Sequence, residues 1–235
     1  MCGMARHSFN RMAQSYALYS SVQNQIVSRL LAGLAGRFYA RVLDLGCGSG
    51  NVLQQLPHFK IAVGEFVGLD RSAEMLEQHP KRMEGVGHVR LVCADFEHNT
   101  WGTFDLGIAC SSLQWAHDLG GVCRHLAQSC QQVALAIHTS ASLQEVHAFL
   151  GTHSPLRQRE EVCNILDQSF KGFVTKMWME NFSQTFSKRE EFLDQLKLGG
   201  LLGGGLPFSK AKALRCNAPY ESLSYEAVFL VGEKR

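Results

Sequence analysis

Through residue 150 the apolar positions come in short unbroken runs separated by helical patterns. Arg41–Leu45 (RVLDL), Phe66–Asp70 (FVGLD), Val89–Cys93 (VRLVC), Phe104–Cys110 (FDLGIAC) and Val133–Ile137 (VALAI) read as five buried strands. A strand covered on both faces has no polar side to show, so its pattern is continuous rather than alternating. Between the fourth and fifth runs, Leu119, Val122, Cys123, Leu126, Ala127 and Cys130 fall at i, i+3, i+4, i+7, i+8 and i+11, which is one apolar helix face. Ser72 stands as an N-cap before Met75 and Leu76. Near the start, Ile26, Val27, Leu30, Leu31 and Leu34 give another packing face. Strands alternating with helices predict β-α-β units and a parallel sheet.

The remaining third is less regular. Ser142-Leu-Gln-Glu145 and Ser187-Lys-Arg-Glu190 both have the spacing of a capping box, where a hydroxyl and a carboxylate satisfy free backbone donors at a helix start. Each precedes an apolar face, Leu143, Val146 and Leu150 in one case and Phe192, Leu193 and Leu196 in the other. Phe173–Phe186 and Tyr225–Val231 read as two further strands. The sheet should therefore close with an antiparallel hairpin, its helical inserts above the carboxyl ends of the strands.

Composition narrows the function classes. The chain has 235 residues, 23 basic and 21 acidic, for a net charge of +2, which excludes a polycationic nucleic-acid coat. Split at residue 150, the balance is 11 basic against 11 acidic and then 12 against 10, so neither half is a charged tail. No apolar run approaches the ~18 residues of a membrane span. Met1 to Asn10 has no apolar core of a secretory signal, and a cytoplasmic location is expected. No two of the eight cysteines are spaced C-x-x-C, so no metal site is expected, and they read as small buried hydrophobes in a reducing compartment.

The chemistry is concentrated at the strand ends. Val42-Leu-Asp-Leu-Gly-Cys-Gly-Ser-Gly-Asn51 is a strand running into Gly46-x-Gly48-x-Gly50 and then a helix. Glycines in such a turn let the backbone approach a ligand closely. A dinucleotide fingerprint would want a third glycine where Asn51 stands. Asp44, just before the turn, would repel a pyrophosphate but suits a ligand with an ammonium and a sulfonium. S-adenosylmethionine is such a ligand. Asp70 ends the second strand, with Arg71 beside it, where a carboxylate can accept both ribose hydroxyls. Asp95 follows the third, placed to accept from an adenine amino group with Phe96 against the ring. Cys47 lies inside the glycine turn, and Cys110 ends the fourth strand beside the expected methyl.

Taken in order, VLDLGCGSG, FVGLD, VCADFE and FDLGIACSSLQW resemble a class I S-adenosylmethionine-dependent methyltransferase over residues 41 to 137. Shorter motifs point within that superfamily. Phe9-Asn-Arg-Met-Ala-Gln-Ser-Tyr16 with Val22-Gln23, Ser111-Ser-Leu-Gln-Trp115, Ser142-Leu-Gln-Glu-Val-His147, Leu196-Lys197 and Leu223-Ser-Tyr-Glu226 resemble the malonyl-acyl-carrier-protein O-methyltransferases of biotin biosynthesis. The chain departs at Leu126-Ala-Gln-Ser-Cys130, where many methyltransferases have Pro-Gly-Gly, and at Gly199–Gly205, whose five glycines in seven residues disfavour a helix and suggest a mobile lid.

The resemblance implies an α/β fold: a Rossmann-like sheet of seven strands, mostly parallel with the last antiparallel. One domain is expected, divided into an N-terminal helical cap (1–40), a cofactor core (41–137) and an acceptor and lid region (138–235). It also implies methyl transfer to the free carboxylate of a malonyl thioester on acyl carrier protein. That nucleophile, with a pKa near ~4, is ionised at neutral pH and needs no general base. The residues expected to hold it are Tyr16, Gln23, Gln114, His117 and Lys197, with Trp115 walling the pocket. Between Gln195 and Tyr220, Lys197, Lys210, Lys212 and Arg215 stand with no acidic residue, a candidate docking face for an acidic carrier. A methyltransferase for another small acid or oxygen nucleophile, or a non-catalytic partner with this fold, are the alternatives.

Overall fold

The computed structural model describes residues 21–198, 208–218 and 221–235. Helix α1 (Ser21–Ala32) precedes strand β1 (Phe38–Leu45), which runs through the glycine turn into the short helix α2 (Asn51–Gln55). Then come β2 (Ala62–Asp70), α3 (Ala73–Gln78), β3 (Val86–Cys93), β4 (Phe104–Cys110), α4 (Leu119–Ser129) and β5 (Cys130–His138). The remaining elements are α5 (Gln144–Leu150), α6 (Arg159–Ser169), β6 (Phe173–Thr185), α7 (Arg189–Leu198), α8 (Phe208–Asn217) and β7 (Ser222–Lys234).

The strands form one seven-stranded sheet in the order β3-β2-β1-β4-β5-β7-β6. β1 to β5 are mutually parallel, and β7 runs antiparallel between β5 and β6. The order reverses direction between β1 and β4. That switch point leaves a crevice above the carboxyl ends of the strands, the usual ligand position in such sheets. Alternate residues feed two cores. Val42, Phe66, Leu106, Ile108 and Ala136 face one with α1, and Leu43, Leu45, Val67, Val133 and Leu135 face the other with α4 and α6.

All seven strands were legible in the apolar runs, several of them longer in the structure than the runs themselves. β1 starts at Phe38 and β2 at Ala62 because their first residues pair in register, Phe38 with Ala62 and Tyr39 with Val63, despite a mixed pattern. Ser72 caps α3 as expected, its Oγ accepting from the Met75 N–H at 3.2 Å. Cys130, expected on the helix face, instead opens β5 and pairs with Phe104.

The capping box at Ser142 does not form. Leu143 takes the left-handed conformation at φ 58°, which turns the chain away from cap geometry. The Ser142 hydroxyl instead bonds the Glu226 main chain in β7, at 3.1 Å to both its O and its N. At Ser187 the carboxylate reaching back to the N–H is Glu191, at 3.3 Å, rather than Glu190. Helix α6 did not emerge from the pattern, and the basic stretch through Lys210 and Lys212 folds as α8 rather than as a loop. The glycine-rich segment and Tyr16 lie outside the described residues.

Candidate functional site

The turn after β1 is built from backbone bonds that only glycine permits. The N–H groups of Gly46 and Cys47 both donate to the Leu69 carbonyl of β2, at 2.7 and 3.1 Å. Gly46 sits at φ 72°, and a Cβ there would fall 2.4 Å from the Ser112 Cβ. Gly50 sits at φ 92°, with the Pro80 Cδ 2.7 Å from where a side chain would begin. Neither position has room or conformational freedom for an L side chain.

Asp70 ties this turn to the next one. One carboxylate oxygen accepts from the Gly48 N–H at 2.9 Å, the other from the Ser72 N–H at 2.9 Å. A carboxylate has about four lone-pair sites, so both oxygens keep acceptor capacity. Burial raises the Asp70 pKa, and the two N–H donors oppose that shift. Asp95 forms a similar local turn, its Oδ1 accepting from the Glu97 N–H at 2.9 Å.

These turns surround a cleft at the switch point. The structure brings eleven of the sequence-derived candidates to its walls. Asp44, Gly46, Cys47 and Gly48 come from β1 and its turn, and Asp70 and Arg71 from the end of β2. Asp95 and Phe96 follow β3, Cys110 ends β4, Trp115 follows it, and Gln23 enters from α1. Helix α1 is anchored beside the glycine turn by bonds to α2: Ser28 Oγ donates to Gln55 Oε1 at 2.7 Å, and Gln55 Nε2 donates to the Asn24 carbonyl at 3.1 Å.

Three other candidates stand elsewhere. Gly50 shapes the turn from behind, against His79 and Pro80. Gln114 is buried, but its amide donates to the Ser111 carbonyl at 2.7 Å and holds the turn after β4. His117 is exposed, and its carbonyl accepts from Arg157 Nη2 at 2.8 Å. The side chain of Lys197 is not described. Val27, Asn51, Val52, Met75 and Ser111 line the cleft without having been singled out. Ser111 carried one usable signal, its place in the SSLQW segment. Its backbone is held at φ 58°, an uncommon conformation for a non-glycine residue.

The electrostatics of the cleft single out Asp44. It is 1% exposed, and its Oδ2 has no hydrogen-bond partner among the described residues. Burial, and then the neighbouring Asp70 charge, push its pKa up to about 8. A buried carboxyl with an unpartnered oxygen next to another carboxyl calls for a cation. The ammonium and sulfonium of S-adenosylmethionine supply positive charge, so the residues present fit that cofactor and would reject a pyrophosphate. Burial also holds the Cys47 and Cys110 thiols well above their ordinary range, which makes them neutral fillers rather than nucleophiles.

Comparison with known proteins agrees with this geometry. Residues 42–135 match a family model described as a methyltransferase domain. A protein named malonyl-[acyl-carrier protein] O-methyltransferase from Pseudescherichia vulneris is 34% identical over 145 residues, covering 60% of this chain and 55% of its own length. One of the same name from Bacillus anthracis is 28% identical, over 70% of this chain and 61% of its own. A third, from Chlorobium luteolum, is 25% identical over 95% of this chain and 89% of its own. The first of these matches thus spans about half of the relative's length.

Among solved structures, the YcgJ protein of Bacillus subtilis superposes with a TM-score of 0.66 at 17% identity, covering 90% of this chain and 98% of its own. A phosphoethanolamine N-methyltransferase of Haemonchus contortus, solved with S-adenosylhomocysteine, gives 0.60 at 16% identity, over 98% of this chain and 60% of its own. No helix among the described residues is long and apolar enough to cross a membrane. Over residues 42–135 the chain is thus similar to methyltransferase domains.

Proposed function

We propose that the protein transfers a methyl group to the free carboxylate of a malonyl thioester borne on acyl carrier protein, in the cytoplasm, giving the methyl ester that begins pimeloyl synthesis for biotin. The observation that carries this reading is the shared name of the relatives, among them one that aligns with nearly the whole chain. The cleft is compatible with it. Among the described residues lining it there is no histidine, lysine or glutamate, and apart from the three strand-end aspartates the polar groups are Arg71 and neutral side chains such as Gln23 and Ser111. A cleft without histidine, lysine or glutamate suits a nucleophile that is ionised before it arrives.

S-adenosylmethionine supplies the methyl on a sulfonium, so the reaction is an in-line displacement. The chain's own residues bind and align. Asp44 faces the ammonium and sulfonium end, Asp70 has acceptor capacity for the ribose, and Asp95 and Phe96 frame the adenine. Gln23 and Trp115 wall the acceptor side, where excluding water and holding the carboxylate near the methyl provide the rate. Lys210, Lys212 and Arg215 on α8 form the carrier docking face.

Incubation with labelled S-adenosylmethionine and malonyl-carrier protein, malonyl-coenzyme A or bulk tRNA tests the reading. Base-labile label on a malonyl species is expected. Label on tRNA, or none on either malonyl species, overturns it.

A further inference from the structure

On the α1 face of the sheet, one polar or thiol side chain per strand climbs diagonally across four adjacent strands. Asp44 in β1 lies in a register where it pairs with Ile108, and Cys110 is the next residue up on that face of β4. Cys110 pairs with Ala136, and His138 is the next up on β5. His138 pairs with Ala227, and Tyr225 is the next up on the antiparallel β7. Diagonal neighbours of this kind lie roughly 7–8 Å apart. The first two members line the cofactor cleft. The last two continue the line beyond it, with the His138 and Tyr225 rings 6.2 Å apart.

The far end of this row is polar and unsatisfied. His138 is 1% exposed, and neither ring nitrogen has a hydrogen-bond partner among the described residues. The Glu226 main chain faces the ring and opposes the fall in its pKa that burial causes. Gln195 of α7 is also 1% exposed, with its Oε1 unpartnered. Its Nε2 donates to the Tyr225 hydroxyl at 3.4 Å. That bond uses the oxygen of Tyr225 and leaves its O–H free to donate. Two donors, the Tyr225 O–H and a His138 ring N–H, therefore have no acceptor among the described residues. The row leads from the cleft, through Cys110, to these donors.

We infer that His138 and Tyr225, with Gln195 orienting the phenol, form the anchor for the carboxylate of the methyl acceptor. One carboxylate oxygen accepts from both donors, and the other is left facing the Cys110 side, toward the methyl. Burial keeps the free imidazole neutral, with its pKa pushed down to about 4. An incoming carboxylate reverses that balance, because a neighbouring negative charge favours the imidazolium. The inference rests on the carboxylate reading of the acceptor proposed above.

The test reads the His138 ring by ¹⁵N NMR in the protein saturated with S-adenosylhomocysteine, on adding malonyl-N-acetylcysteamine or its methyl ester. The acid should move the His138 resonances and the ester should leave them in place. In steady-state assays, His138→Gln and Tyr225→Phe should each raise the KM for malonyl-carrier protein about ten-fold or more, the size of a lost hydrogen bond to a charged group. The Kd for S-adenosylhomocysteine should stay at the wild-type value. Methyl transfer to malonyl-carrier protein with an unmoved His138 ring overturns the anchor and leaves the proposed function standing. A ring that moves with the acid in a protein that does not methylate malonyl-carrier protein supports the anchor and overturns the carrier substrate.

Discussion

Ser112 fills the space where a side chain on Gly46 would begin. Its Oγ donates to the Leu45 carbonyl at 2.6 Å, and its Cβ lies 2.4 Å from the position a Gly46 Cβ would take. The loop after β4 thus locks the glycine turn after β1, and the two strands on either side of the switch point share one joint. Gly46→Ala would add a clash with a short, fixed side chain to a strained φ of 72°. Overpacking of this kind costs about 1–3 kcal/mol and the left-handed backbone about 1 more. Calorimetry should show Tm falling by roughly 5–12 °C, with loss of S-adenosylhomocysteine binding.

Asp44 makes cofactor binding proton-linked. With a pKa of about 8 in the free cleft, it holds a proton at neutral pH. A cationic ligand favours the ionised form, so binding should expel a proton and affinity should rise as pH approaches 8. Titration calorimetry in phosphate and in Tris at pH 7 gives the proton count, and Asp44→Asn should bring it to zero.

The same group shapes the stability of the free protein, together with His138. Asp44 is raised in the folded state from 3.8 to about 8, so its contribution falls as pH climbs through that window. His138 is lowered from 6.5 to about 4, so its contribution is lost as pH falls from 6.5 toward 4. Between about pH 4 and 6.5 the two slopes oppose each other. Above 6.5 the Asp44 slope is no longer opposed by His138, and its contribution should drop by about 1.4 kcal/mol per pH unit up to pH 8. Urea melts at pH 6.5, 7.2 and 8.0 check this, and Asp44→Asn should flatten the series.

Arg159 and Glu226 join α6 to β7. The Glu226 carboxylate, 4% exposed, accepts from Arg159 Nε at 3.1 Å and Nη2 at 2.7 Å, and from Thr139 Oγ1 at 2.6 Å. Removing the cation strands a buried charge, whereas neutralising the acid does not. Arg159→Met should therefore destabilise the protein more than Glu226→Gln does. Denaturant melts of both variants decide the order.

Charge reversal of Lys210 and Lys212 on α8 should raise the KM for a carrier-borne substrate and leave that for the coenzyme A thioester unchanged. An equal change for both would assign the lysines to the substrate pocket rather than to carrier docking.

The cofactor half was largely readable because each of its candidate ligand groups follows an apolar run. Asp44, Asp70 and Asp95 all stand at strand ends, and strand ends are where a buried run announces itself. The acceptor half was not readable in that way. Helix α6 buries only Val162 and Leu166 in its 11 residues, too sparse an apolar stripe to register. Gln114 and His117 look equivalent in sequence, but the single 3-10 turn Leu113–Trp115 directs one inward and leaves the other in solvent. His138 looks like any lone histidine closing a strand. Its isolation from hydrogen-bond partners depends on β7 and α7, which join it from 57 or more residues away.

The placement of β7 has a consequence for how the molecule is made. β5 and β6 do not touch each other in the sheet; each pairs with β7, and Gln132 finds its partner Glu233 about a hundred residues later. On the ribosome, β1 to β5 can associate as they emerge, with a cofactor cleft already outlined at their ends. β6 has no strand to pair with until Ser222–Lys234 is released. During synthesis two strand edges therefore wait open, and a bound S-adenosylmethionine would stabilise the half that is complete while the other is still being translated.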